Sequence, residues 1–346
     1  MEKGGRHIFF ITVLNVVSAL AVVGLHTNCF WSFSRERWWI TANILECVFY
    51  FAVPIFMMLT GATLLDYPKK YDTKTFYIRR VKKTLIPFFF WSITALLFRV
   101  FVLKNIPVKE INAIYVIDGI LNTKFCGIYW FFIPLFAIYL SIPLFAYVQE
   151  EKRLQLFKQL AVICFLINIL IPFVLKVFQV PIKFPIVVLV GSGHLLYLLL
   201  GYLLCNLRLS AKEKQCIYVC GFLGLLLHIG GTHYLSMEAG RIIQTYKGYQ
   251  NVPGILYSVS IFLFIKEHCR LFESSFVRKI IEKLSDYSFS IYLLHWFVLS
   301  ILYKVLEINK HSILWRLGGI IVVSFCCICL TWVIRKIPVF GKKVLP

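Results

Sequence analysis

Long apolar runs separated by short polar breaks recur along the whole chain. They fall at 8–26, 42–65, 85–103, 127–148, 158–178, 186–207, 216–235, 251–267, 284–306 and 313–335. Most are long enough to cross a hydrocarbon layer, which takes roughly 20 apolar residues as a helix. The pattern predicts an all-α, polytopic membrane protein with about ten transmembrane helices in one bundle. Glycines and short polar breaks interrupt the seventh and eighth runs.

Composition agrees with that pattern. The chain is 60% hydrophobic and 17% aromatic with 15% charged residues, far less charge than a soluble domain of this length carries. The net charge of +21 would suit a nucleic-acid binder, but its placement argues against one. With ten spans, 24 of the 37 Lys and Arg residues fall on the loops of one side and 12 on the other, with Arg99 inside a span. Basic residues collect on the cytoplasmic side, so both termini and the segment 66–84 are expected there. No nucleic-acid partner is expected; the lipid bilayer is.

No cleavable signal peptide is expected, because residues 8–26 exceed a signal's apolar core and no small-x-small site follows. The 11 cysteines lie mostly in the spans and read as buried structural thiols. None has zinc-site spacing, so no metal is expected. There is no internal repeat or low-complexity tail. The longest breaks are 66–84 and 104–126, and a single integral-membrane domain over 1–346 is the economical expectation.

Polar residues inside spans are costly and carry the chemistry. In the first span Asn15, Ser18 and His26 form a stripe. Asn15 and His26 are eleven residues apart, which puts them on one helix face at depths differing by about 16 Å. Glu46 lies about one turn below the same outer surface. It either pairs with His26 as an orienting acid or reaches the headgroups and solvates itself. In the ninth span Ser288, Tyr292 and His295 share a face, and His295 reads as a helix-packing histidine. His194 and His228 read the same way, while His7, His233, His268 and His311 lie at interfaces or in loops. The run Arg79, Arg80, Lys82, Lys83 is either a lipid anchor or a phosphate clamp.

Five stretches, taken in order, resemble the acyltransferase 3 family of bacterial integral-membrane acyltransferases. "LNVVSALAVVGLHTN" is similar to that family's opening helix, with His26 at its characteristic histidine. "FYFAVPIFMMLTGATLL" resembles the second helix, with Thr60 and Gly61 where Ser-Gly is usual. "FYIRRVKKTLIPFFFWS" resembles the basic lead-in to the third helix, where a pair of arginines two residues apart is associated with acyl-CoA. "IYWFFIPLFAIYLSIPLF", with Tyr129 and Trp130, resembles the Trp-Phe helix, and "LSDYSFSIYLLHWFV" the late Tyr-Leu-x-His helix. Two positions depart from the pattern. Asn15 stands where the family often has an arginine, and the basic motif reads Arg79 to Lys82 and Arg80 to Lys83. Lysine binds phosphate as a point charge, with less geometric selectivity than arginine.

The resemblance implies an O-acyltransferase of the plasma membrane with cytosolic acyl-CoA, most often acetyl-CoA, as co-substrate and no bound cofactor. Its acceptor would be a hydroxyl of an extracytoplasmic or lipid-linked carbohydrate, with polysaccharide-assembly proteins as partners. His26 and Glu46 would be catalytic, and Arg79, Arg80, Lys82 and Lys83 would bind the donor. Asn15, Ser18, Thr60, Tyr129, Trp130, Tyr292 and His295 would line or support the path. His26 would act as general base or carry the acyl group, and the sequence leaves both routes open. The rival reading is a permease or substrate-supply module for a small hydroxylated solute; a scaffold in a polysaccharide-assembly complex is a third.

Overall fold

The computed structural model describes residues 2–181, 183, 186–190, 193–338 and 341–346, and the side chains of 2–8, His7 among them, lie outside the description. All regular structure among these residues is helical. The helices in chain order begin with α1 (Glu2–Thr27), α2 (Arg37–Phe49), α3 (Ala52–Leu64), α4 (Thr73–Arg80) and α5 (Ile86–Phe98). Then come α6 (Ala113–Leu121), α7 (Phe132–Ala146), α8 (Glu150–Cys164), α9 (Ile171–Val177) and α10 (Leu195–Asn206). The last six are α11 (Ala211–Ala239), α12 (Val252–His268), α13 (Ser275–Ser285), α14 (Ser288–Val305), α15 (Ile313–Arg335) and α16 (Gly341–Val344).

Nine helical stretches among the described residues are long and apolar enough to span a membrane. The missing tenth is the expected span 186–207, of which residues 191 and 192 lie outside the described residues. Its helix is only α10, 12 residues long, or about 18 Å. Gly193 just before it has φ +60°, a left-handed conformation through which a right-handed helix does not run.

The chain forms two compact units. The first comprises Met1–Leu65, Tyr147–Ser288 and Asn309–Ile321. In it α3 and α10 cross with their backbones almost touching. A Cβ on Gly61 would lie 1.9 Å from the Leu198 carbonyl oxygen, and one on Gly201 would lie 1.9 Å from that of Met58. α11 lies against α12 less tightly, with Gly221 facing the Ser260 side chain and Gly224 the Pro253 carbonyl oxygen, as small residues allow in membrane helices. The loop after α11 is clamped. Asn251 caps α12 at the Val252 N–H and donates to the Thr245 carbonyl at 2.7 Å, while the Tyr197 hydroxyl donates to the Tyr249 carbonyl.

The second unit comprises Asp66–Ala146, Phe289–Ile308 and Val322–Pro346. Its core is aromatic, with the Phe132 ring in contact with those of Phe88, Tyr129 and Tyr292. Asp72 caps α4 by accepting from the Thr75 N–H at 3.0 Å, and the Thr75 hydroxyl, followed by this N–H, holds the exposed carboxyl below its ordinary pKa. Between α4 and α5 the backbone opens into a π turn over Val81–Leu85, with the Ile86 N–H reaching back to Val81. Pro87 is the cause: it has no N–H and its ring would strike the Lys83 carbonyl in a regular α turn.

Candidate active site

The site is built within the first unit, where α1 ends. His26 lies in its last turn, and the residues around it are tied down. Thr27 is buried and donates to the Arg316 carbonyl at 2.9 Å. Asn28 donates to the Ala42 carbonyl at 2.8 Å and to Oε2 of Glu46 at 3.3 Å. Arg316, buried in the first turn of α15, donates to the Trp38 carbonyl at 3.2 Å, the Thr41 hydroxyl at 2.8 Å and the His311 carbonyl at 3.0 Å. The His26 residue is exposed at the end of α1, while Leu25, Thr27, Cys29 and Phe30 around it are buried. Glu46 acts on it electrostatically.

Glu46 is 3% exposed, so it does not reach the headgroups to solvate itself; its partner is a lysine. Lys247, from the loop between α11 and α12, places Nζ 2.8 Å from Oε1 of Glu46, and the side chain is fully buried. Three rings surround the ammonium: Tyr50 at 3.8 Å, Phe30 at 4.7 Å and Trp31 at 5.5 Å from their centroids. A desolvated cation over an aromatic face gains about 2 kcal/mol per good contact, which offsets part of the cost of removing the ammonium from water. Tyr50 in turn stacks on Tyr249, at 4.2 Å and 5° between planes. Burial, and then the Glu46 carboxylate, push the Tyr249 phenol well above its ordinary pKa, so this hydroxyl stays protonated. His228 of α11 meets the Tyr50 ring edge-on at 4.9 Å. It is fully buried, and neither ring nitrogen has a hydrogen-bond partner among the described residues.

The remaining stripe of α1 divides. Ser18 is buried, whereas half-buried Asn15 donates to the Ser285 hydroxyl of α13 at 3.3 Å. Thr60 bonds back to its own helix at the Phe56 carbonyl, 2.9 Å. His194 faces Gln250 at 3.4 Å across its Nδ1, and burial lowers it below the ordinary imidazole pKa.

In the second unit the four basic candidates fall into two classes. Lys82 and Lys83 are exposed on the π turn. Arg79 lies over the Tyr71 ring at 4.2 Å, and Arg80 is half-buried over Phe76 and Tyr139 at 5.7 and 5.6 Å. Tyr129 and Tyr292 bond to backbone carbonyls, and half-buried Trp130 follows Tyr129 in the chain. His295 is fully buried, with Nδ1 3.1 Å from the Ile291 carbonyl of its own helix, as a packing histidine would be.

Lys247, Asn28, Tyr50 and Arg316 escaped the sequence reading. Lys247 is 201 residues from Glu46, and a lysine in an outer loop is indistinguishable by spacing from a solvated one. Asn28 carried a weak signal as a polar residue two positions after His26. Among the described residues no group of three or more His, Cys, Asp or Glu side chains is placed to hold a metal.

No curated protein and no solved structure matches this chain. A family model described as an acyltransferase domain matches residues 8–333, nearly the full length. With its membrane-spanning helices and a histidine closing the first of them, the chain belongs to the acyltransferase 3 family and is a multi-pass membrane acyltransferase.

Proposed function

We propose that this acyltransferase moves an acyl group, acetyl first among the choices, from cytosolic acyl-CoA to a hydroxyl of an extracytoplasmic or lipid-linked carbohydrate at the plasma membrane. The observation that carries the reading is His26: an exposed histidine at a helix end, among buried residues and under the influence of a buried carboxylate.

In the general-base route the acceptor hydroxyl gives its proton to the imidazole as its oxygen bonds to the thioester carbonyl carbon. The carbon–sulfur bond breaks, and the CoA sulfur takes the proton from the imidazolium, leaving an ester and free CoA thiol. In the covalent route the imidazole nitrogen bonds to the thioester carbonyl carbon and the carbon–sulfur bond breaks, releasing the CoA thiolate. The acceptor oxygen then displaces the imidazole from the acyl carbon, and its proton ends on the CoA sulfur, leaving the same ester and free thiol. Both routes develop positive charge on His26, which the negative end of the α1 dipole and Glu46 favour. The cationic turn at 79–83 supplies the contacts that a polyanionic CoA needs.

The experiment is mass spectrometry of surface glycans from cells carrying wild-type protein, His26→Ala or no protein. Ester-linked acyl groups that vanish in the last two support the reading. Vesicles that take up a hydroxylated solute without consuming acyl-CoA would replace it with the permease.

A further inference from the structure

A buried ion pair is weak evidence for stability, because matched apolar residues in its place are often as stable or more so. Glu46 and Lys247 are such a pair, with side chains 4% and 0% exposed. The chain also commits much structure to holding them. The loop that carries Lys247 is fixed by Asn251 and by the Tyr197 hydroxyl, and Gly248 beside it has φ +158°. Gly254, in the first turn of α12, comes so close to this loop that a Cβ there would lie 2.8 Å from the Gly248 carbonyl oxygen. Glu46 is the hydrogen-bond acceptor of the ammonium among the described residues, and aromatic faces take the rest of its surroundings. The other carboxylate oxygen is held by Asn28, two residues beyond His26. The carboxylate is thus gripped from both sides, with His26 within its field.

We propose that Lys247 is a positioning residue for acyl transfer: it holds Glu46 as a fixed, charged carboxylate that balances the positive charge arising on His26. This rests on the reading of His26 as the reacting imidazole. The titratable groups coupled to the pair are His26 of α1, Cys47 of α2, Tyr50 beyond it, His228 of α11 and Tyr249 of the loop itself. Arg316 lies beyond Thr27, bonded through its backbone. Without Lys247, the buried carboxylate would stand uncompensated and take up a proton. His26 would then lose its counter-charge, although no atom of Lys247 touches it in the reaction.

The test reads His26 directly. Diethyl pyrocarbonate modifies unprotonated imidazole, so its rate at the His26 peptide, followed by mass spectrometry against pH, gives the midpoint of His26 titration in the full-length protein. Lys247→Met should move that midpoint to lower pH by about one unit, and glycan acylation per folded molecule should fall at least about tenfold. In a Glu46→Gln background the same substitution should cause no further acid shift, because the group through which Lys247 acts is already neutral. A purely structural lysine would shift both backgrounds alike. A midpoint that rises in Lys247→Met shows that Glu46 keeps its charge without the lysine and overturns the proposal; so does one that stays in place. If Lys247→Met does not accumulate, Glu46→Gln is compared with the neutral double variant; equal acylation supports the proposal, and weaker acylation in the double overturns it. Wild-type acylation by His26→Ala would sink the reading of His26 separately, because the midpoint reports coupling whether or not the imidazole reacts.

Discussion

Tyr129 and Tyr292 each reach across to the backbone beside the other. The Tyr129 hydroxyl donates to the Leu293 carbonyl at 2.8 Å, and the Tyr292 hydroxyl donates to the Ile128 carbonyl at 2.6 Å. Two phenols thereby join the turn Gly127–Phe131 to α14 inside the second unit, with Phe132 in contact with both rings. Each neutral bond contributes about 0.5–1.5 kcal/mol net. Tyr129→Phe and Tyr292→Phe should each lower the thermal midpoint of the purified protein. The double variant should lose less than the two losses added, because the bonds join the same two segments. Unchanged midpoints would mean that the hydroxyls do not stabilise this junction.

The α3–α10 crossing gives a sharper expectation. At both Gly61 and Gly201 an added methyl would overlap a backbone oxygen at 1.9 Å, and no side-chain motion relieves a backbone clash. Gly61→Ala and Gly201→Ala should each cost at least about 1–3 kcal/mol and lower the amount of folded protein in membranes. Gly127, which has nothing within 4 Å of an added Cβ, is the control: Gly127→Ala should not introduce such a clash. Equal thermal midpoints for all three variants would show that the helices separate freely.

These two junctions also mark how far the sequence could be read. Helices announce themselves because lipid demands continuous apolar surface, and nine of the expected spans have a counterpart in the structure. The run 186–207 was as greasy as the rest, but hydropathy does not register the left-handed turn at Gly193. Gly61 was visible inside a motif; Gly201, buried in a leucine run, had nothing to distinguish it. The candidate site divides in the same way. His26 stood out as a polar residue at the end of an oily helix. The lysine opposite Glu46 did not, because close packing of residues 201 positions apart leaves no periodic trace.

The cationic turn separates into two classes of contact, and its variants should separate with it. Lys82 and Lys83 are exposed, so Lys82→Gln with Lys83→Gln should weaken donor use while thermal stability stays level. Charge-assisted phosphate contacts are worth about 1.5–3 kcal/mol each, so the donor KM should rise at least about tenfold. Arg80 packs on Phe76 and Tyr139, so Arg80→Gln should lower stability as well as donor use. An unchanged KM for the lysine pair would reduce the turn to a lipid anchor.

Topology follows from charge. Segment 66–84 carries seven of the basic residues, and the positive-inside rule predicts that it lies in the cytoplasm together with both termini. A cysteine substituted at Lys74, which is exposed near the start of α4, should resist a membrane-impermeant maleimide in intact cells and react after permeabilisation. Labelling from outside would invert the assignment and leave the cationic turn unable to meet a cytosolic donor.

The histidines provide the decisive comparison. A base accepts a proton only when its ring is neutral, so acylation should decline on the acid side of the pH profile, where the imidazole is already protonated. A positioned base contributes about 10²–10⁴-fold in rate, so His26→Ala should abolish detectable glycan acylation at normal protein abundance. Because His26 is accessible and its neighbours are held by their own bonds, its removal opens no buried cavity and thermal stability should hold. Glu46→Gln keeps the shape of the buried pair but removes its negative charge, and should reduce acylation less than His26→Ala does. His295→Ala removes a fully buried ring bonded to its own helix, so abundance and thermal midpoint should fall together with activity. Measured as acylation per folded molecule, the three variants should rank with His26→Ala lowest and His295→Ala least affected. A His26→Ala protein that acylates at the wild-type rate would remove the imidazole from the reaction and advance the permease reading.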